Sequence, residues 1–539
     1  MLGARLKGST VSVLVALAST WAPTGLVSAP GGPYLRDAQG RLLELHGVDL
    51  VAKCGGGAVP TGAPGSPCVG PNRGPHLAYV LSPLARDPGR RFTAADAATL
   101  ARLGFNMVRL GVVWEGLEPG RRGVRPDDPR FCSPHARGTP FPRLGKADPY
   151  APKTIRAYLA RTDRIIGLLA AAGLRVLLDM HQDVYGSAFA NPSSPMPWNG
   201  EGAPPWATCT GRAAFTAPAR WGAAYGDPAV KTAIHHFFAN DVRGDLQEQF
   251  ARVWQAVARH YRHNANVIGY ELYNEPLDFL NPDFNTELQC FYGGPVHEPR
   301  SCASSGAESP ADGLIGAIRA VDLRHPIVYE PPSNSDYNRP QSIGVREPLP
   351  FRGLVLGFHA YSHQQAALMG LMSTQRAATR TLQPGGPPWL MDEFGASRHS
   401  ASASATVDLA DERNLSWSYW AALELHDPTG NPREALLRQG SRRPIGGKAA
   451  ALAVAYPAAT AGIPGPWSYD RATGTFIYDY RASGSLRAPT EIVLPRYAYP
   501  HGYRVSATGA AIVSSHGASV LELQPRRGVR FVTVTVRRG

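Results

Sequence analysis

The sequence predicts an α/β protein: a (β/α)8 barrel of the TIM type with a small antiparallel β-sandwich at its C-terminus. Three observations carry that expectation. Eight short apolar segments alternate with longer amphipathic ones through most of the chain. Most of those segments end on polar or aromatic residues, as strands do at the catalytic face of a barrel. Beyond the stretch 456–466 the rhythm changes to short strands separated by turn residues.

The first element is an address. Arg5 and Lys7 precede the apolar run Val11–Ala18, and Val27-Ser28-Ala29 offers small residues for cleavage. Residues 1–29 therefore read as a signal peptide, and the protein is expected to be secreted. Residues 30–456 hold the barrel. Its strands are expected at Leu43–Leu50, Asn106–Val112, Arg175–His181, Val267–Asn274, Ile327–Glu330, Leu354–Tyr361, Trp389–Phe394 and Ser416–Leu423. Helices are expected between them at Thr93–Leu103, Thr154–Ala172, Leu246–Tyr261 and Ala311–Val321. Thr93 and Thr154 are candidate N-caps, and Gly104 and Gly173 stand where helices end. An open doubly wound sheet is the rival, but no Gly-x-Gly-x-x-Gly follows the first strand.

The sandwich is expected over 465–539, with strands at Gly474–Tyr480, Thr490–Leu494 and Val529–Val536. In the last of these Val532, Val534 and Val536 share one face, and Phe531 is the apolar exception on the other. Trp467, Tyr469, Tyr478 and Tyr480 read as core or interface, which makes the sandwich a stabilising partner of the barrel.

Composition sets outer limits. Of 539 residues, 43% are hydrophobic and 18% charged, enough to bury a large core and to exclude general disorder. No internal run approaches the length of a membrane span, so a multi-pass membrane protein is excluded. The net charge of +13 comes mostly from dispersed arginines, with no basic run, zinc-finger spacing or RNA-binding signature, so nucleic acid is not an expected partner. A net positive field leaves room for transient contact with anionic membrane surfaces or micelles. Six cysteines suit an oxidising compartment. Cys54–Cys68 and Cys290–Cys302 are suggested as loop-closing pairs, which leaves Cys132 and Cys209 and an open connectivity. No Cys-x-x-Cys is present, and neither metal nor cofactor is expected.

The chemistry is read at the strand ends. In order these carry Arg109, His181 with Asp183, Asn274 with Glu275, His359 with Tyr361, Glu393 and Trp420, polar groups costly to bury unless they serve a site. Glu275 and Glu393 come from the fourth and seventh strands and face each other across the mouth. Glycosidic hydrolysis needs one carboxylic acid to protonate the leaving oxygen and one carboxylate to attack the sugar or activate water. A lone Glu at a strand end is more often a salt-bridge partner; a facing pair is a candidate site. Adjacent His235 and His236 read as ordinary helix or loop residues rather than a metal pair.

The strings Tyr270-Glu-Leu-Tyr-Asn-Glu-Pro276 and Trp389-Leu-Met-Asp-Glu-Phe-Gly395 resemble glycoside hydrolase family 5. His46-Gly-Val-Asp-Leu-Val-Ala-Lys53, Asp179-Met-His-Gln-Asp-Val-Tyr185 and Gly202-Ala-Pro-Pro-Trp206 narrow the likeness to its endoglycoceramidase branch, over roughly Leu43 to Gly539. The glycine-rich Cys54-Gly-Gly-Gly57 departs from the branch pattern. The resemblance implies a retaining enzyme that cuts the bond between glycan and ceramide of a glycosphingolipid, with Glu275 as acid/base and Glu393 as nucleophile about 5 Å apart. Burial and the neighbouring charge are expected to keep Glu275 protonated. Asn274 would bind the sugar 2-hydroxyl, and Arg109 and Tyr361 would hold Glu393. Lys53, His181, Asp183 and His359 would grip the substrate, with Trp420 and Trp206 as sugar platforms. A relative acting on plain β-glucans or β-glucosides and a catalytically silent glycolipid binder are the alternatives. For the lipid chains, Tyr185–Trp206, Phe237-Phe238 and Leu277–Phe284 are candidate groove walls, with Phe279, Leu280 and Phe284 beside the leaving group.

Overall fold

The computed structural model describes residues 34–53, 77, 79–86, 90–119, 125–134, 151–191, 193–195, 198–242, 245–294, 313–333, 345, 348–361, 370, 387–396, 399–423, 434–438 and 440–539. Cys54, Cys68, Cys302 and the expected signal segment lie outside these residues.

Eight parallel strands close into the expected barrel. They are β1 (His46–Leu50), β2 (Met107–Val112), β3 (Arg175–Met180), β4 (Val267–Glu271), β5 (Ile327–Tyr329), β6 (Leu354–Ala360), β7 (Trp389–Gly395) and β8 (Ser416–Trp420), with β8 pairing back onto β1. Every expected strand is present: β3, β4, β5, β6 and β8 stop short of their expected ends, β1 and β2 start later than expected, and β7 runs one residue further. These strands are buried on both faces, one against the barrel interior and the other against the helices, so they read as continuous apolar runs rather than alternating ones.

Helix ends follow local chemistry. Thr93 caps the helix Ala94–Arg102 in a reciprocal capping box with Asp96. Gly104 at φ +94° and Gly173 at φ +82° take the left-handed conformation after their helices. Thr154 differs from expectation. The helix Ala151–Ala171 begins three residues earlier, and the Thr154 hydroxyl donates to the Leu117 carbonyl instead of capping. His235 and His236 lie within the helix Pro228–Ala239, on Asp278 and Asp241 respectively.

The second unit has two antiparallel sheets. One contains Gly462–Asp470, Thr475–Ala482, Phe531–Arg538 and Tyr503–Thr508. The other contains Tyr456–Thr460, Thr490–Val493, Val520–Pro525 and Ala510–Ile512, and it also takes in two short strands from the start of the chain, Leu35–Arg36 and Leu42–Leu43. Val532, Val534 and Val536 bury against Phe476, Tyr478 and Tyr480, and Trp467 joins the same core. The second sheet closes the N-terminal end of the barrel. Leu35, Leu43 and Ala459 pack into one cluster with Met107, Leu177 and Ile268 from the starts of β2, β3 and β4. The catalytic rim therefore lies at the opposite end.

Candidate active site

Arg109 organises the floor of the site from β2. It is fully buried, and its guanidinium donates to Glu271 (Nε to Oε2, 2.9 Å), Glu393 (Nη1 to Oε2, 2.8 Å) and Asn274 (Nη2 to Oδ1, 2.7 Å). Asp179 and Asp49 stand 3.3 and 3.8 Å from it. Burial alone would lower the guanidinium pKa; the carboxylates of Asp179 and Glu271 outweigh it, and the group stays charged. Around it, burial pushes the carboxyls of Asp49, Glu330 and Asp392 well above the usual range, so the floor carries fewer charges than carboxyls. Asp392 packs against Gly357, where a Cβ would come within 1.9 Å of its Oδ2.

Glu275 and Glu393 meet above this floor. One carboxylate oxygen of each, with a ring nitrogen of His359, lie within 4.8 Å of one another. Glu393 lies two residues before the end of β7 and accepts from Arg109 Nη1 and from the Tyr361 hydroxyl. Glu275 follows β4 in the left-handed region at φ +51°, a strained position for a residue with a Cβ. The turn is held by its own N–H, which donates to Glu330 Oε2 (3.2 Å), and by Gln182 Nε2, which donates to the carbonyls of Asn274 (2.9 Å) and Glu275 (3.3 Å). His359 Nδ1 lies 2.9 Å from Glu275 Oε1, while its Nε2 faces Glu330 (3.5 Å) and Glu393 (3.8 Å). Burial alone would lower the imidazole pKa, but Glu393 and Glu330 hold it well above the ordinary value.

A second cluster borders the pair. Lys53 Nζ donates to Asp183 Oδ2 and sits 4.2 Å above the Trp420 ring. His181 stacks on the same indole, with 5.3 Å between centroids, and its Nδ1 is 2.7 Å from Asp179 Oδ2. Despite burial, Asp179 pushes the His181 pKa up to about 10. Burial would raise the Asp183 pKa, but Lys53 and His181 hold it below the usual range. Trp420 Nε1 is fixed by Glu434 (3.1 Å). His181, Asp183 and Glu201, like Glu275, His359 and Glu393, are metal-ligand types close together. In each set a side-chain cation already touches a carboxylate, Lys53 that of Asp183 and Arg109 that of Glu393.

Lys53, Arg109, His181, Asp183, Asn274, Glu275, His359, Tyr361, Glu393 and Trp420 are thus joined by direct contacts through shared partners. Trp206 is not joined to them. It is 4% exposed, packs edge-on against Trp114 and beside Phe131, and donates to the Glu118 carbonyl (3.1 Å), which leaves no open ring face for a sugar. The proposed groove walls also divide. Phe237, Phe238 and Phe284 are buried in one aromatic cluster, whereas Phe279 and Leu280 are 56% and 47% exposed. Sequence reasoning passed over Asp49, Asp179, Glu271, Glu330 and Asp392. Their signal was present: each is an acid set into an apolar strand or directly after one.

Comparisons with known proteins agree with this fold. Residues 88–424 match Cellulase (glycosyl hydrolase family 5), and residues 455–536 match the glycoside hydrolase family 5 C-terminal domain. Endoglycoceramidase I of Rhodococcus hoagii is 26% identical over 524 residues, covering 94% of this chain and 87% of that protein. The endoglycoceramidase of Cyanea nozakii is 24% identical, covering 88% and 86%. The structure of endo-glycoceramidase II from Rhodococcus sp. in its ganglioside GM3 complex superposes with a TM-score of 0.67 at 23% identity, covering 94% of this chain and all of that one, a likeness of fold. With the catalytic match spanning more than half of its length, the chain belongs to glycosyl hydrolase family 5, and it is a glycoside hydrolase.

Proposed function

We propose that this chain is a secreted, retaining endo-glycosidase that hydrolyses the β-glycosidic bond between the glycan and the ceramide of glycosphingolipids. The observation that carries the mechanism is the approach of Glu275 and Glu393 to within 4.8 Å, oxygen to oxygen. Retaining pairs stand about 5–5.5 Å apart, whereas inverting pairs leave about 6.5–9.5 Å for a water. The Glu393 carboxylate attacks the anomeric carbon as Glu275 gives its proton to the departing ceramide oxygen. Glu275, now a carboxylate, then takes a proton from water, whose oxygen attacks the same carbon and releases Glu393.

The remaining residues have roles that fit their contacts. Arg109 and Tyr361 position the nucleophile, and His359 positions Glu275. Asn274 keeps an amide proton for the sugar 2-hydroxyl after bonding Arg109 and the Gln182 carbonyl. Lys53, His181 and Asp183 grip ring hydroxyls; Trp420 is as buried as Trp206, and its indole carries Lys53 and His181 in place rather than offering a free sugar platform. The glycosphingolipid reading is supported by the names of the relatives, which span nearly the whole chain. Among the described residues no helix is long and apolar enough to cross a membrane, so membrane contact is proposed as transient.

A substrate panel followed by mass spectrometry tests this. Release of an intact glycan together with intact ceramide is the expected result. Cleavage of β-glucans with no action on glycolipids would assign the chain to the polysaccharide-cleaving part of its family, and binding without turnover of either would make it a silent lectin-like protein.

A further inference from the structure

Six arginines gather around one concavity of the second unit. A groove of about 1350 Å³ runs along the sandwich, lined by Arg36, Arg481, Arg487, Arg526, Arg527 and Arg530 and by no acidic residue. All but Arg36 are exposed, and no carboxylate pairs with any of the six among the described residues. Six unneutralised guanidiniums around one concavity repel one another and gain from any ligand that brings negative charge. The guanidinium fork also suits planar or tetrahedral anionic groups such as carboxylate, sulfate and phosphate.

The floor has a second property. Arg481 pairs across the sheet with Ile463 on one side and Phe531 on the other, giving a row of apolar, cationic and apolar side chains. Phe531 is 69% and Ile463 49% exposed, so this row faces the groove rather than the sandwich core. Apolar side chains beside anion-binding forks match a polymer of sugar rings carrying acid groups, each ring offering a C–H face and an anion. Phe531 is the single aromatic among the lining residues, whereas single-stranded nucleic acid is held by successive aromatic stacking platforms. Arg36 and Gly40, which also line the groove, belong to the hairpin that precedes β1 at the N-terminal end of the barrel. The groove is therefore at the end away from the catalytic mouth, and docking it on a lipid surface would turn the mouth from that surface.

We propose that this groove is a binding site for an extended acidic polysaccharide, which holds the enzyme at a glycan matrix with its catalytic mouth open to solvent. The site is independent of the active-site assignment. The test uses the full-length chain and isothermal titration with heparin and polygalacturonate, against neutral dextran, a single-stranded oligonucleotide and vesicles of mixed zwitterionic and anionic lipid. Saturable binding of an acidic polysaccharide that weakens as salt rises is expected, with at most weak binding of the other three. In the triple variant Arg481→Glu, Arg487→Glu, Arg527→Glu, that affinity is expected to fall by roughly tenfold or more. Hydrolysis of a soluble chromogenic glycoside and the melting temperature are expected to stay as in the wild type. Should the triple variant melt early, Arg487→Gln and Arg527→Gln carry the same comparison with smaller losses. Equal affinity in the variants, binding of dextran as tight as that of the acidic polymers, or tighter binding of the oligonucleotide or the vesicles would each overturn the proposal.

Discussion

Arg109→Lys is the substitution that most sharply separates positioning from mere charge. The guanidinium has five N–H donors in a fixed fork, and it serves Glu271, Glu393 and Asn274 at 2.9, 2.8 and 2.7 Å from three directions. An ammonium keeps the charge but has three donors on a single atom, so at least one of these acceptors is left without its partner. A lost hydrogen bond to a charged group is worth about 1.5–3 kcal/mol, and breaking a buried ion pair outright costs about 3–5 kcal/mol. Retention of the charge places Arg109→Lys between small and severe, at roughly 2–4 kcal/mol of lost stability. The catalytic cost comes from Glu393, whose Oε2 loses its aim, and a misplaced nucleophile costs on the order of 10²-fold. Urea unfolding gives the stability, and kcat and KM on a soluble aryl glycoside give the activity, with the loss expected in kcat. A variant with wild-type stability and kcat within about threefold of the parent would refute the view that the fork of Arg109 sets the nucleophile.

Four smaller effects follow from other contacts. His181, with its pKa pushed up to about 10 by Asp179, contributes stability that is fully present below its unfolded value of about 6.5 and is lost as pH rises through about 10. The stability gap between wild type and His181→Asn, measured by urea unfolding, is expected to narrow between pH 6.5 and 10.5; a constant gap would show that the imidazole is neutral throughout. Cys132 and Cys209 form a disulfide across a sequence separation of 77, which the chain-entropy account values at about 4.5 kcal/mol, so Cys132→Ser is expected to lower the melting temperature. Phe279→Ser is expected to reduce glycolipid cleavage selectively because the ring is exposed just after Glu275-Pro276, with a small chromogenic glycoside serving as the control. Phe284→Ser instead opens the cluster around Phe238, 4.8 Å away between centroids, and costs stability of about 3 kcal/mol with both substrates affected alike.

The barrel was legible because its strands are buried on both faces, and a run such as Leu354–Ala360 has no other reading beside amphipathic helices. Glu275 and Glu393 were legible because each stands at or near the end of such a run. The N-terminal hairpin was not. Leu43 reads as the start of one strand with Glu44–Leu50, and only the tertiary pairing of Leu43 with Ala459 assigns it to the second sheet. Trp206 misled for a related reason. An indole in a long insertion looks the same in sequence whether it faces a sugar or Trp114, and the choice is made by packing. The acids around Arg109 were visible one by one as charges within apolar strands. Their convergence on a single guanidinium depends on barrel closure, which no local pattern states.

The assignment of Glu393 as nucleophile and Glu275 as acid/base is tested most directly by trapping the covalent intermediate. The enzyme is incubated with a 2-deoxy-2-fluoro glycoside bearing a good leaving group, which slows release of the glycosyl-enzyme, then quenched, digested and sequenced by mass spectrometry. The account predicts a single glycosyl adduct on the side chain of Glu393, which also forms in Glu275→Gln because an activated leaving group needs no proton. An adduct on any other residue, or full turnover of the parent glycoside with inversion at the anomeric carbon and no adduct at all, would contradict it.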